Sequence, residues 1–236
     1  MTPQCTPICH YTKKPLLSQN NHVTMLNSSK SNKKKLKCDK EKNRIKCVIV
    51  GDQAVGKTSL AVSYSNDSFP SEYKPTAYDN YNVDVLVDGK PTRVELCDTA
   101  GEDELDPLRH LCYPGTDVFM LCFSIVKPNS FFSACSRWAE ELNRLGAAVV
   151  LVGTQADLTS NKEVINELRK VGQRPVLSSE AKGLAERLNA PYIETSAKAC
   201  THLKEAFDMA IVIALKRQKK PRQVWKKFMC CVRGMD

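Results

Sequence analysis

One short stretch constrains this chain more than any other: Gly51-Asp52-Gln53-Ala54-Val55-Gly56-Lys57-Thr58, followed by Ser59. It comes directly after the apolar run Ile45-Lys46-Cys47-Val48-Ile49-Val50. The spacing fits G-x-x-x-x-G-K-[ST], a phosphate-binding loop set between a strand and a helix. Its glycines let the backbone turn back with successive N–H groups pointing inward, and the helix that follows adds the positive end of its dipole. Lys57 is placed to reach the terminal phosphates, and the Thr58 hydroxyl to ligate a magnesium ion bridging them. A pattern this short also occurs as an ordinary glycine turn, so the remaining chain has to decide.

The alternation of periods around the loop points to a layered α/β fold. Lys57–Tyr64 reads as a helix, and 66–80 as a long polar loop broken by Pro70 and Pro75. Tyr81–Val87 and Thr92–Cys97 read as strands joined through Asp88-Gly89, a strong hairpin signal. Val118–Ser124 and Val149–Gly153 are short apolar runs of the kind buried in parallel sheets. Phe131–Leu145 and Ser178–Leu188 read as helices, and Tyr192–Glu194 as a short last strand. Leu203–Leu215 puts Leu203, Ala206, Phe207, Ala210, Ile211 and Ala214 on one helical face. The expected fold is a doubly wound, mostly parallel six-stranded α/β sheet with one antiparallel edge hairpin. Such sheets bind ligands at the carboxyl ends of their strands.

Charge is unevenly spread over the 236 residues: +8 on residues 1–44, −6 on residues 45–214 and +7 on residues 215–236. An acidic body between basic ends is not the footprint of a nucleic-acid-binding face, and no nucleic-acid partner is expected. It suits ends that meet an anionic membrane surface. Residues 1–44 are rich in Ser, Asn, Lys and Pro and are expected to be a disordered basic extension. Lys33-Lys34-Lys35 could be a localisation signal, a membrane or partner contact, or a solvated linker. Of the 11 cysteines, Cys47, Cys97 and Cys122 sit inside strand-like runs, where a thiol behaves as a small hydrophobe. With no signal-peptide-like stretch, a reduced, cytosolic compartment is expected. Cys5, Cys9 and His10 are too few and isolated for zinc.

Three more clusters follow the loop, each at a strand end. Asp98-Thr99-Ala100-Gly101 offers a carboxylate for magnesium and a glycine whose N–H can approach a γ-phosphate. Thr154-Gln155-Ala156-Asp157 offers a carboxylate that can accept from the N1–H and N2 amine of guanine, which adenine cannot supply. Thr195-Ser196-Ala197-Lys198 offers backbone N–H groups for the guanine O6. Each alone could be a cap or a turn; four in this order favour a guanine-nucleotide site.

In these motifs residues 45–215 resemble the Ras-like small GTPases, and within them the Rho family. Rho-like features are Phe69-Pro70, Glu72-Tyr73, Pro75-Thr76, Tyr78-Asp79-Asn80-Tyr81 and Leu111-Cys112-Tyr113-Pro114. An extra helix-like segment, 161–172, lies where Rho proteins carry an insert, and Thr154 in place of Asn is a Rho habit. Gln155-Ala156-Asp157 and the run Trp225-Lys226-Lys227-Phe228-Met229-Cys230-Cys231 are most similar to the atypical Wrch/Chp (RhoU/RhoV) branch.

The resemblance implies a GTP/GDP switch with Mg2+ held by Thr58, Thr76 and Asp98. It also implies Tyr73 over the phosphates and Phe69 against the guanine. Switch one would span 66–81 and switch two 98–114. Effectors would read Tyr78, Asp79, Asn80 and Tyr81. The partners implied are kinases or scaffolds with a Cdc42/Rac-binding motif, acting on actin and adhesion, together with exchange factors and activating proteins.

Three departures from the family pattern bear on the chemistry. Gln53 replaces a glycine and fills room needed by the attacking water and an arginine finger. Glu102 replaces a glutamine; ionised, it accepts hydrogen bonds but cannot donate them. Glu102 could instead act as a base, or swing to solvent. With Lys57 and Thr76, these two form the expected catalytic set, and slow hydrolysis is the expectation. Gln155 replaces a lysine whose stem covers the base, so faster nucleotide exchange is expected. A rival reading is a membrane-tethered pseudo-GTPase scaffold with static or no nucleotide binding.

The chain ends Cys231-Val232-Arg233-Gly234-Met235-Asp236, without a cysteine fourth from the end, so prenylation is not expected. Met1-Thr2 likewise lacks the glycine for myristoylation. Cys230 and Cys231, beside the basic-aromatic run of 216–236, are candidate palmitoylation sites; acyl chain plus polybasic patch are two anchors. The expected location is the cytoplasmic face of the plasma or an endosomal membrane, and the cytosol.

Overall fold

The computed structural model describes residues 44–70, 72 and 76–219. The N-terminal extension, most of the basic tail, Tyr73 and the Cys230-Cys231 pair lie outside the described residues.

Six strands form one sheet in the order β2-β3-β1-β4-β5-β6. They are β1 (Arg44–Val50), β2 (Tyr78–Val87), β3 (Lys90–Thr99), β4 (Val118–Ser124), β5 (Val149–Thr154) and β6 (Tyr192–Glu194). Only β2 and β3 pair antiparallel; β1 pairs parallel with β3 and β4, β4 with β5, and β5 with β6. The helices are α1 (Lys57–Asn66), α2 (Asp106–Leu111), α3, α4 (Lys162–Lys170), α5 (Ser178–Arg187) and α6 (Leu203–Lys219). In α3, Pro128–Ser133 runs through a π turn, Ala134–Trp138, into Ala139–Arg144.

Period-2 alternation in the central strands divides the core into two layers. Ile45, Cys47 and Ile49 of β1 with Val118, Met120 and Cys122 of β4 pack under α1 and α6. Val48 and Val50 with Phe119, Leu121 and Phe123 pack under α3 and α5. All six α6 residues expected on one face are buried there. Tyr64 of α1 stacks on Phe207 of α6, with ring centroids 3.9 Å apart. Cys47, Cys97 and Cys122 are buried, and burial pushes the Cys122 thiol up to about 12, leaving it inert as a nucleophile.

The hairpin corrects the expected bounds. β2 begins at Tyr78 rather than Tyr81, because ten successive pairs tie it to β3 from Tyr78↔Thr99 to Val87↔Lys90. Its turn residues, Asp88 and Gly89, both have positive φ (49° and 73°), the geometry whose twist matches two right-twisted strands. Tyr78, Asp79 and Asn80, expected in a loop, therefore lie on the open edge strand. The insert is helical over Lys162–Lys170, with the Asn161 side chain accepting from the N–H groups of Glu163 and Val164 at 2.9 and 3.2 Å. The π turn in α3 had no signal in the sequence.

Candidate functional site: a nucleotide cleft at the strand ends

The loop between β1 and α1 turns under two steric constraints. Gly51 has φ 136°, and a Cβ there would lie 2.0 Å from the Cys122 carbonyl oxygen. Gly56, at φ 95°, caps α1 with no side-chain hydrogen bond, so the first-turn N–H groups stay available to a ligand. Lys57 is buried, and its Nζ donates to the carbonyls of Gly51 and Asp52 at 2.9 and 2.8 Å. Burial pulls its ammonium below the ordinary value, against the opposing pull of Asp98.

Other elements fix the loop from behind. The Thr154 hydroxyl, with its one proton, lies 2.5 Å from the Val55 carbonyl oxygen and 2.9 Å from that of Phe123. Lys127 Nζ donates to the Ala54 carbonyl at 2.9 Å, and the Trp138 indole N–H to Asp52 Oδ1 at 2.7 Å. A Cβ on Gly101 would fall 2.3 Å from Asp52 C and Gln53 N, so the start of switch two packs against the loop only as glycine.

At the phosphate end, Gln53, Gly56, Lys57, Thr58, Ser59, Thr76, Gly101, Glu102 and Gln155 line one hollow. Three side-chain oxygens converge at its edge, from Thr58 and Thr76 in its lining and from the buried Asp98 behind them. Thr58 Oγ1 donates to Asp98 Oδ2 at 2.5 Å and lies 2.9 Å from Thr76 Oγ1. Asp98 Oδ1 is buried and meets no hydrogen-bond donor of good geometry among the described residues. Burial pushes the Asp98 carboxyl up to about 6, while the Thr58 hydroxyl and Lys57 pull the other way. A carboxylate oxygen left open beside two hydroxyls is a hard oxygen set of the kind magnesium takes, and the residues present fit that ion. The side chains of Gln53 and Glu102 meet directly: Gln53 Nε2 donates to Glu102 Oε1 at 2.6 Å.

An adjoining hollow shares Gly56, Ser59 and Gln155 and is completed by Phe69, Thr154, Asp157, Leu158, Ala197 and Lys198. Asp157 Oδ1 accepts from Ser196 Oγ at 2.6 Å, which fixes the carboxylate, and Ser196 Oγ accepts from the Ala199 N–H at 2.9 Å. The Ala156 N–H donates to the Thr195 carbonyl at 3.0 Å, tying the two base-end loops together. Gln155 adopts φ 58°, and its Oε1 accepts from Ser124 Oγ at 2.5 Å. Phe69 is half exposed at the rim. The structure thus brings together every described residue expected at the site, while Tyr78, Asp79, Asn80 and Tyr81 lie apart on β2 at the sheet's open edge.

Sequence reasoning missed Ser124, Lys127 and Trp138. Trp138 on a helix reads as core, Lys127 as a solvated charge, and Ser124 as a strand end.

The cleft, with its phosphate loop at the switch point of a doubly wound sheet, matches what comparison with known proteins finds. The Ras family matches over residues 46–216. The chain is 47% identical over 205 residues to the Rho-related GTP-binding protein RhoV of Bos taurus, covering 80% of this chain and 87% of that one. The same identity and coverage hold for RhoV of Rattus norvegicus and of Homo sapiens. This chain belongs to the Ras family. It is a small GTPase of the Rho type, a GTP-binding protein of signal transduction. Members of this family bind GTP or GDP, typically with Mg2+, and work with effectors, exchange factors and activating proteins.

Proposed function

We propose that this chain is a Rho-type switch that signals to the actin cytoskeleton, cell shape and adhesion, and that Gln53 and Glu102 slow its GTP hydrolysis. The observation that carries the second part is the 2.6 Å hydrogen bond from Gln53 to Glu102. It joins two side chains that line the phosphate hollow, where the attacking water and a partner's arginine need room. One N–H of the Gln53 amide is taken by Glu102, and the Glu102 carboxylate has no donor to orient water. Phosphoryl transfer depends on positioning and on stabilising negative charge, so a carboxylate facing the γ-phosphate works against it.

The rest of the cleft supports nucleotide binding. The N–H groups of Ala54, Val55, Gly56, Lys57, Thr58 and Ser59 and the Lys57 ammonium hold the phosphates. Asp157 accepts from guanine, with Ser196, Ala197 and Lys198 around its O6 and Phe69 on its face. Thr58, Thr76 and Asp98 hold magnesium, which when bound neutralises charge on the β- and γ-phosphates. Ordering of switch one around Thr76 by the γ-phosphate is the switch.

The open β2 edge, with Tyr78, Asp79 and Asn80 exposed, suits an effector that adds an extended segment to the sheet. The partners proposed are kinases or scaffolds with a Cdc42/Rac-binding motif. Acylation of Cys230 and Cys231 beside the basic tail holds the protein at the plasma or an endosomal membrane. A Cys230→Ser/Cys231→Ser variant that kept its membrane location would refute that anchoring.

The test of the central reading is phosphate release from the GTP-loaded full chain. The native protein is expected to be slow and the Gln53→Gly/Glu102→Gln variant fast. Equal rates would sink it, and a chain that purifies without nucleotide and accepts none would make it a scaffold instead.

A further inference from the structure

A bridge of aromatic and charged groups, with Trp138 and Arg109 buried and Asp106 and Arg137 partly exposed, joins switch two to the phosphate loop, and nothing in the nucleotide reading uses it. Its centre is Trp138, which is fully buried at the end of the π turn in α3. Its indole N–H donates to Asp52 Oδ1 at 2.7 Å. The guanidinium carbons of Arg109 and Arg137 lie 4.5 and 4.6 Å from its ring centroid. Both arginines pair with the Asp106 carboxylate, at 2.6 and 2.8 Å. Arg109 and Asp106 belong to α2, so the ring is gripped partly by switch two itself.

A Trp kept only to fill the core needs nothing more than some acceptor for its N–H. Here the acceptor is a carboxylate of the phosphate loop, making a short, charge-assisted bond. The π turn adds a residue to the helix and so re-aims the side chain at its end. Asp52 is also the residue whose backbone Gly101 packs against, and it directly precedes Gln53. One hydrogen bond thus sets the loop backbone that faces the phosphates and the base from which Gln53 reaches Glu102.

We propose that Trp138 is a positioning residue for the bound nucleotide, acting through Asp52, with Arg109 and Arg137 holding the plane of its ring. The proposal rests on the nucleotide-site reading above. Trp138 lines neither hollow, and its effect comes through the loop.

The test is release of a fluorescent GDP from the full chain in four forms: native, Trp138→Phe, Asp52→Ala and the double variant. Each single change is expected to speed release about five-fold or more, and the double no further than the larger single, because both remove the same bond. Leu142→Ala, a buried cavity mutant on the same helix, is expected to lower the thermal midpoint at least as far while leaving release near native. The proposal fails if the double variant releases GDP at the product of the two single effects. It fails equally if Leu142→Ala speeds release as much as Trp138→Phe. Should Trp138→Phe not fold, the indole N–H resonance of Trp138 decides, with Trp225 as the internal reference. Asp52→Ala is expected to shift it upfield and speed its exchange; an unmoved resonance overturns the bridge. A native chain that retains no guanine nucleotide would defeat the nucleotide-site reading instead, and the resonance would still judge the bridge.

Discussion

The two ends of the cleft are built under different rules. At the base end, the Ser196–Asp157 bond and the Ala156–Thr195 backbone bond hold the two loops together, Thr154 ties β5 to the phosphate loop, and the family pattern holds except at Gln155. At the phosphate end the loop is equally well held from behind, but two of the side chains facing the substrate, Gln53 and Glu102, depart from the pattern and bond each other. On the function proposed above, affinity and specificity would reside where the chain keeps the rule and turnover where it breaks it, so binding and hydrolysis would be separable by mutation.

The largest expected effect lies at the base end. Asp157→Ala would remove the proposed acceptor for two guanine donors and leave the Ser196 hydroxyl proton without its acceptor, while Ser196 Oγ keeps the Ala199 N–H. It should erase most of the preference for guanine over adenine nucleotides, about 10³-fold or more, in competition binding. Retained discrimination would move specificity away from this carboxylate and break the comparison.

A smaller effect is expected where the ends meet. Gln155 lines both hollows together with Gly56 and is held by Ser124. Gln155→Lys should lengthen the stem over the base and slow GDP release by about ten-fold, or ~1.4 kcal/mol of barrier. Stopped-flow release that is unchanged would mean that Ser124 already holds the shorter side chain as firmly as a lysine would lie.

The smallest effect belongs to a site remote from both ends and serves as the reference. Asp208 on α6 is pushed up to about 7 by burial; its Oδ2 accepts from Lys204 Nζ at 3.0 Å, while its Oδ1 has no hydrogen-bond partner among the described residues. Its folded value lies above its unfolded one, so the native state binds more protons between them and stability falls as pH rises from about 4 to 7. Asp208→Asn should therefore stabilise the protein by about 1 kcal/mol at pH 8, with the gain vanishing near pH 4, and leave nucleotide release unchanged. A gain that does not vary with pH in thermal melts would assign it to something other than ionisation.

Much of this was legible in the chain because the sheet and the four motifs are local patterns. Val118–Ser124 and Tyr192–Glu194 fall where the apolar runs place them, and the α6 face is the one that its spacing marks. The start of β2 was not legible: Tyr78-Asp79-Asn80-Tyr81 lacks alternation, and its strand conformation comes from pairing with β3. Gln53 and Glu102 were each visible as departures, but their bond joins residues 49 apart in the chain. Trp138 and Asp52 are 86 apart, and a π turn with no compositional signature aims one at the other.

The most direct test of the central claim is a single-turnover cycle of phosphate release with magnesium, comparing native, Gln53→Gly, Glu102→Gln and the double variant. Gln53→Gly alone leaves a carboxylate facing the γ-phosphate, and Glu102→Gln alone leaves the water's place filled. The account predicts that each single change gains little and that the double gains more than their product, with an arginine-finger partner adding up to ~10³–10⁵ only in the double. A native rate equal to that of the double, or full recovery by either single change, would contradict it.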